Sequence, residues 1–345
     1  MTNQHPTLPV QYAFSLRDFN TFAIECIAQA YVKITSEKIL HALISDTALN
    51  KLNKLVLGGG SNILLTKDFA GLVLHMCNQG IDIVREDANA TYVRVAAGEN
   101  WHDFVQWTLE RGMGGLENLS LIPGSVGAAP IQNIGAYGVE VEQRIHCVRA
   151  FDFETAQTIT LSHADCTFAY RESVFKHRLR NRVAILDVTF ALPKVWQAHV
   201  QYADVAQELA ARGIAAPNAM EISAAVIAIR KRKLPDPSLI GNAGSFFKNP
   251  VVNQDRRDAL LVQFPQLVSY AQADGTFKLA AGWLIDHCGW KGKMVGEAGV
   301  YEKQALVLVN RGNATGQDIV NLANAIVRNV EARFGVILEP EPIFI

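Results

Sequence analysis

Paired cysteines, clustered histidines, a strong net charge and a long apolar run are all missing from this chain. Five cysteines (Cys26, Cys77, Cys147, Cys166 and Cys288) are scattered without a C-x-x-C spacing. That argues against a disulfide framework or a zinc knuckle and for a reducing compartment. The nine histidines form no H-x-H or H-E-x-x-H pattern, so a metal site has no support. A formal net charge of −1 gives no general attraction to nucleic acid or anionic membrane. No apolar run approaches a membrane span, and the polar opening Met1–Val10 lacks the basic-then-apolar layout of a signal peptide. The expectation is a cytoplasmic protein, a monomer, whose partners are small molecules rather than nucleic acid or membrane. Its 345 residues, 49% apolar and 19% charged, suffice for two or three domains with real cores.

What is present in quantity is glycine in two places. The stretch from Ile122 to Gly138 combines glycine, proline and small side chains with almost no charge, which excludes an ordinary helix or strand interior. Such a backbone can lie flat on a large ligand and aim its N–H groups at phosphate oxygens. Gln132, Asn133 and Tyr137 sit inside it, and a purely structural turn has no need of them. Upstream, Gly58-Gly59-Gly60-Ser61-Asn62 follows the apolar run Leu55-Val56-Leu57. It is neither a G-x-G-x-x-G fingerprint nor a Walker A loop, and alone it reads equally well as a tight turn. Together the two loops suggest a long ligand with a pyrophosphate in its middle.

Periodicity sketches the frame. Ser36 stands where it can cap a helix over Glu37–Ser45; Lys54–Leu57, Gly71–Met76 and Thr91–Ala97 read as strands. Trp101–Arg111 is a helix with Asn100 as N-cap and Gly112 as stop. Strands are expected at Ile145–Phe153, Thr158–Leu161, Val183–Leu192 and Ala305–Asn310. Helices are expected at Tyr202–Arg212, Ala219–Lys231, Gln254–Phe264, Ala280–Cys288 and Gly316–Phe334, the last opened by Thr315 and Asp318 as a capping box. Arg230-Lys231-Arg232-Lys233 reads either as a solvated helix end or as a diphosphate clamp, and Leu234-Pro235-Asp236-Pro237 breaks the helix.

Several motifs in order then match something specific. Asn20-Thr21-Phe22, the Gly58–Asn62 loop, Gly115-Leu116-Glu117, Ile122-Pro123-Gly124, Pro130 to Gly138, Tyr170-Arg171 and Asn242 to Pro250 together resemble the UDP-N-acetylenolpyruvoylglucosamine reductase family, across nearly the whole chain. The intact Tyr202 segment and Lys233 to Pro237 look like its longer, type I branch. The resemblance implies an α+β, vanillyl-alcohol-oxidase-type FAD-binding fold. Two α+β domains, 1–72 and 73–233, would clasp FAD; a third, 234–336, would bind substrate, with 337–345 packing back near the active site. It implies FAD as cofactor and NADPH as co-substrate in the reduction of UDP-N-acetylglucosamine enolpyruvate to UDP-N-acetylmuramate, a step of peptidoglycan precursor synthesis.

Carried over residue by residue, the resemblance gives FAD to Gly58, Gly59, Gly60, Ser61, Asn62, Ile122, Pro123, Gly124, Ser125, Gly127, Ala128, Ala129, Gln132, Asn133, Gly135 and Ala136. Ser245 looks like the proton donor, with Arg171 and Glu341 as its companions. Tyr137, Tyr170, Tyr202, Lys233, Asn249, Tyr270, Lys291 and Gln304 match positions that grip the UDP-sugar. Taken singly, Ser245 reads as a turn serine, Arg171 as a surface arginine and Glu341 as a tail residue; only the joint pattern gives them roles. Two departures stand out: Ala128 and Ala129 replace hydroxyl or glycine residues, and Pro342-Ile343 replace a valine and a basic residue after Glu341. An oxidase of the same fold and a non-catalytic nucleotide-sugar-binding protein are the competing readings. Neither explains why Ser245, Arg171 and Glu341 are all retained.

Overall fold

In the computed structural model, which describes residues 8–345, the strongest periodic signals become elements almost residue for residue. The opening reading of Met1–Val10 falls largely on residues 1–7, outside the described part. The helix expected from Trp101 spans Trp101–Glu110, and the Asn100 side chain accepts from the Asp103 N–H as an N-cap. The long helix spans Gly316–Phe334 with the full Thr315/Asp318 capping box and a left-handed Gly335 at its end. Glu37–Ser45 is helical, but Ser36 makes no capping hydrogen bond there. The described residues fall into two units, one comprising residues 8–14, 27–60 and 69–232, the other 15–26, 61–68 and 233–345.

The first unit holds two sheets. One runs in the order Gln11–Ser15, Ile27–Ile34, Phe69–Met76, Lys54–Leu57, with the last three strands parallel. The strand Ile27–Ile34 has no counterpart in the periodicity reading. Its buried positions are Ala28, Ala30, Tyr31, Val32 and Ile34, and the two alanines are weak strand formers. The other sheet is antiparallel, in the order Gln157–Ser162, Ile145–Asp152, Val183–Pro193, Ala90–Ala96, Ile81–Glu86. Val93, Val95, Val148, Ala150, Val188 and Phe190 join Trp101, Phe104, Val105 and Leu109 in one core. Phe104 and Phe190 meet with ring centroids 5.0 Å apart.

In the second unit, Gly241–Ser245, Val307–Asn310, Ala298–Val300 and Met294–Val295 make an antiparallel sheet. The helix Gly316–Phe334 lies on it through Ile319, Leu322, Ile326 and Val330, all buried. A smaller sheet joins Val251–Val252, Phe277–Leu279 and Ser269–Ala271. Ile343–Phe344 pairs in parallel with Ile63–Leu64. The segment 15–26 is folded on itself by Asn20. Its amide donates to the Leu16 and Ile24 carbonyls at 2.8 and 2.9 Å and accepts from the Ile24 N–H at 3.0 Å.

Thr315→Ala removes one capping acceptor and is expected to lower stability by about 1 kcal/mol at neutral pH, read as a shifted urea midpoint. The Thr315 hydroxyl, then its backbone N–H, hold the Asp318 carboxyl below its ordinary range. Because the folded-state pKa is depressed, this contribution is complete above the ordinary carboxylate range and disappears as pH falls through the lowered pKa. The gap between wild type and Asp318→Asn should therefore close in acid.

Candidate active site

Glycine has a mechanical reason to stand in the first loop. A Cβ on Gly59 would lie 2.9 Å from the Gly124 Cα, and one on Gly58 would collide with the Ser125 hydroxyl. The backbones of the two glycine loops therefore touch. Gly124 reaches this contact at a φ of 115°, a conformation closed to side chains. The second loop is also stitched to the antiparallel-sheet region: Val126 N–H donates to the Glu99 carbonyl and Gly127 N–H to the Ala97 carbonyl, both at 2.9 Å. Among the described residues, the N–H groups of Gly58, Gly59, Gly124 and Ser125 donate to nothing. Four unengaged backbone donors on two loops in contact suit the oxygens of a pyrophosphate. Ala129 is buried, Ala128 sits in a single turn of 3-10 helix, and neither offers a polar side chain.

Further along, Asn133 is fully buried with φ 45°. Its Nδ2 donates to Glu140 Oε2 at 3.0 Å and to the Ala169 carbonyl at 3.1 Å, while its Oδ1 accepts from the Glu142 N–H at 3.1 Å. The side chain thus buckles the loop to the turn that carries Arg171. In that turn Ala169 and Glu172 exchange two backbone bonds of 3.0 Å around Tyr170-Arg171, and Arg171 has φ 58°. The guanidinium is held by the Gly135 carbonyl at 2.8 Å and the Asn133 carbonyl at 3.4 Å, with Glu140 3.9 Å away and the Tyr170 ring 5.1 Å away. Lys176 Nζ donates to the Arg171 carbonyl at 2.9 Å. A fork fixed this way has a set orientation for a planar anion.

Tyr137 and Tyr202 meet edge to face at 5.3 Å. The Tyr137 carbonyl accepts from Asn118 Nδ2 at 3.0 Å. Burial pushes the Tyr137 phenol up, while Arg230, which is hydrogen-bonded to it, pulls the other way. Arg230 Nε also donates to the carbonyl of Leu121 at 3.2 Å; Leu121 itself has φ 60°. The basic run is therefore divided: Arg230 points to the loop and to Tyr137, whereas Arg232 pairs with Glu208 at 2.9 Å.

In the second unit, Ser245 ends the strand Gly241–Ser245 opposite Val307, after a register shift. Asn242 builds that irregularity, accepting from the Gly244 N–H at 2.9 Å and donating to the Ile240 carbonyl at 2.8 Å. Asn310 donates to the Phe22 carbonyl at 2.9 Å, and Asn242 N–H to the Thr21 carbonyl at 2.9 Å. The Asn20-Thr21-Phe22 motif therefore braces the serine strand. The Ser245 side chain has no hydrogen-bond partner among the described residues, and Phe246 and Phe247 are buried beyond it. Glu341 N–H donates to the Phe246 carbonyl at 2.8 Å, and Lys248 N–H to the Glu339 carbonyl at 2.9 Å. Phe247 and Pro340 form the bridge between those bonds, a position where the missing proline N–H costs no ladder bond. Glu341 is thereby fixed one residue along from Ser245.

Of the other expected sugar-binding positions in this unit, Asn249 accepts from the Ala281 N–H at 2.9 Å at the start of the helix Ala281–His287. Gln304 accepts from the Leu306 N–H at 3.3 Å, Lys291 pairs with Asp286 at 3.2 Å, and Tyr270 is exposed on a short strand. Sequence reading missed a polar cavity of about 290 Å³ in the first unit, lined in part by Ser36, Glu37, Asn78, Arg94, Arg149 and Asp187. Asn78 Oδ1 and Asp187 Oδ1 are buried there without partners among the described residues. Burial pushes the Asp187 carboxyl up although Arg149 lies 2.7 Å away. The available signal was a charge inside each of two otherwise apolar strands.

Comparison with known proteins gives these two loops and the second unit their counterparts. The profile of an FAD binding domain matches residues 28–162, and that of the UDP-N-acetylenolpyruvoylglucosamine reductase C-terminal domain matches 236–345. The chain is 56% identical to the UDP-N-acetylenolpyruvoylglucosamine reductase of Dechloromonas aromatica over 96% of its length and 98% of the relative's. It is 53% identical to that of Paraburkholderia phymatum over 99% of both chains. The crystal structure of the UDP-N-acetylenolpyruvylglucosamine reductase from Thermus caldophilus superposes with a TM-score of 0.67 at 22% identity, covering 98% of each chain. The fold is thus the α+β flavin fold of the vanillyl-alcohol-oxidase type.

Gly59→Ala is expected to part the two loops and weaken FAD binding roughly tenfold or more, since displaced donors to an ionised group are worth about 1.5–3 kcal/mol each. Flavin absorbance after desalting, with an unchanged far-ultraviolet circular dichroism spectrum, checks this.

Proposed function

The chain belongs to the UDP-N-acetylenolpyruvoylglucosamine reductase family, and from that premise we propose that it reduces UDP-N-acetylglucosamine enolpyruvate to UDP-N-acetylmuramate with NADPH, taking the proton from Ser245. It is an FAD-dependent oxidoreductase of cell-wall precursor synthesis. The observation that supports the finer reading is the 2.8 Å bond from Glu341 N–H to the Phe246 carbonyl, which sets the Glu341 backbone beside the residue that follows Ser245.

The FAD-binding residues we assign are the two loops in backbone contact, with Gly58, Gly59, Gly124 and Ser125 offering N–H groups to the pyrophosphate. Lys54–Leu57, Phe69–Met76 and Ile27–Ile34 are neighbouring parallel strands. Their carboxyl ends lead to Gly58, Asn78 and Ser36 respectively. Ligands of sheets with parallel strands gather at such ends, so Asn78 and Asp187 are suited to accept hydrogen bonds from the adenosine part. Asn133 serves as the brace between loop and Arg171 turn. For the domains we keep 1–72 and 73–233 as the FAD region and 234–336 as the substrate domain; the 72/73 boundary falls inside the strand Phe69–Met76, and residues 15–26 and 61–68 belong to the second unit. A cytoplasmic monomer completes the proposal; among the described residues no helix is long and apolar enough to cross a membrane, and all five cysteines are unpaired.

Bound FAD supplies the two-electron relay, through N5, between NADPH and the enolpyruvyl double bond. Reduction of that bond builds negative charge toward the substrate carboxylate. Arg171, its fork fixed by the Gly135 and Asn133 carbonyls, stabilises that charge through paired N–H bonds. With the hydride delivered to one carbon of the double bond, Ser245 would give its hydroxyl proton to the other, a carbanion-like centre basic enough to take it, and regain a proton from solvent. Glu341 fits this chemistry as the protonated acid, donating a hydrogen bond to the charge that develops. Tyr137, Tyr170 and Tyr202 offer rings and hydroxyls to the sugar nucleotide. Lys233, Asn249, Lys291 and Gln304 provide cations and amides, and Tyr270 a phenol, for its diphosphate and uridine.

Ser245→Ala and Arg171→Met should each cut turnover about 100-fold or more, while anaerobic flavin bleaching by NADPH survives. Arg171→Lys should not rescue, because an ammonium lacks the planar fork. Stopped-flow absorbance resolves the two half-reactions. A Ser245→Ala variant that reoxidises within tenfold of wild type would remove the serine from its role.

A further inference from the structure

Glu341 stands between Pro340 and Pro342, and neither flanking residue can donate a backbone bond. Beyond the bond from Glu341 N–H to the Phe246 carbonyl, the backbone on the C-terminal side of Glu341 is held by bonds farther along. Asn62 Nδ2 donates to the Glu341 carbonyl at 3.3 Å, and Ile343 N–H donates to the Asn62 carbonyl at 3.0 Å. Ile345 N–H donates to the Leu64 carbonyl at 2.9 Å. The Ile345 carbonyl is then gripped twice by Thr66, by its N–H at 2.8 Å and its Oγ1 at 2.7 Å. The pairing of Ile343–Phe344 with Ile63–Leu64 has only two residues on each side, too short to hold by itself. The opposite flank of Leu65 is closed, since a Cβ on Gly316 would run into the Leu65 carbonyl.

We infer that Asn62 and Thr66 are positioning residues for Glu341: they clamp residues 343–345 to residues 62–66 and thereby hold the acid beside the segment that follows Ser245. This rests on the reading that Glu341 acts in the reduction of substrate. Backbone bonds from Asn62, Leu64 and Thr66 thus support Glu341 where Ile343 supplies no charge. Asn62 also belongs to the loop assigned to FAD, so the loop and the acid are joined through one side chain. Thr66 is outside that loop and provides the cleaner test.

Thr66→Val keeps the backbone N–H and the shape but removes the hydroxyl. It should retain bound flavin and bleach with NADPH at the wild-type rate, yet reoxidise with UDP-N-acetylglucosamine enolpyruvate roughly five- to tenfold more slowly, the value of one hydrogen bond. Thr66→Ser should restore the rate. In a double-mutant cycle, Thr66→Val should add nothing to Glu341→Gln, since both act through one group. Wild-type reoxidation by Thr66→Val, an undiminished effect in the Glu341→Gln background, or loss of flavin from Thr66→Val would each overturn the inference. If Glu341→Gln is slow and Thr66→Val is not, the clamp alone fails. If Glu341→Gln reoxidises at the wild-type rate, the role of Glu341 fails first and the clamp falls with it.

Discussion

The contact of one glycine backbone with another, Gly59 against Gly124, is the constraint on which the cofactor half of this protein depends. Side chains there would force the loops apart. Their absence leaves N–H groups at the surface of the contact that donate to nothing among the described residues and so stand open to a ligand or water. From this contact the second loop runs on to Asn133, and Asn133 hands the geometry to the Arg171 turn. One continuous stretch thus sets both the backbone of the loop contact and the guanidinium.

Side-chain amides recur as the fixing device. Asn20, Asn62, Asn118, Asn133, Asn242 and Asn310 each bond to backbone groups of irregular segments. The physical reason is common to all. Irregular loops have no ladder to satisfy their N–H and C=O groups, and an amide carries a donor and an acceptor in one short, rigid unit. Positive-φ conformations at Asn133, Tyr137 and Arg171 sit beside such bonds, whereas Leu121 is held by the His102 ring and Arg230, and Ala13, Ala23, Ala156, Thr167 and Asn181 share this conformation in other parts of the chain.

Much of the frame was legible in the chain. Helical spacing gave Trp101–Glu110 and Gly316–Phe334 because packing of one face decides those elements, and the glycine loops declared themselves through composition. The strand Ile27–Ile34 was passed over although buried Ala28, Ala30, Val32 and Ile34 alternate with exposed Gln29 and Lys33; its first half, with two alanines and a glutamine, is a weak strand signal. Nor could spacing reveal that the braces of Ser245 come from Asn20 to Phe22, more than two hundred residues away in sequence, or that Asn133 would face its own fold. The cavity at Asn78 and Asp187 escaped because its lining comes from strands that only pairing brings together. Ser245, Arg171 and Glu341 carried no local signal; their joint resemblance to a family did.

The most direct measurement is an anaerobic absorbance titration of the purified protein with NADPH, followed by UDP-N-acetylglucosamine enolpyruvate. The account predicts a yellow protein that NADPH bleaches and the enolpyruvyl sugar recolours with one equivalent each. A flavin that NADPH bleaches but the sugar leaves reduced would contradict the substrate assignment, and a protein that stays colourless with added FAD would contradict the reading of both loops.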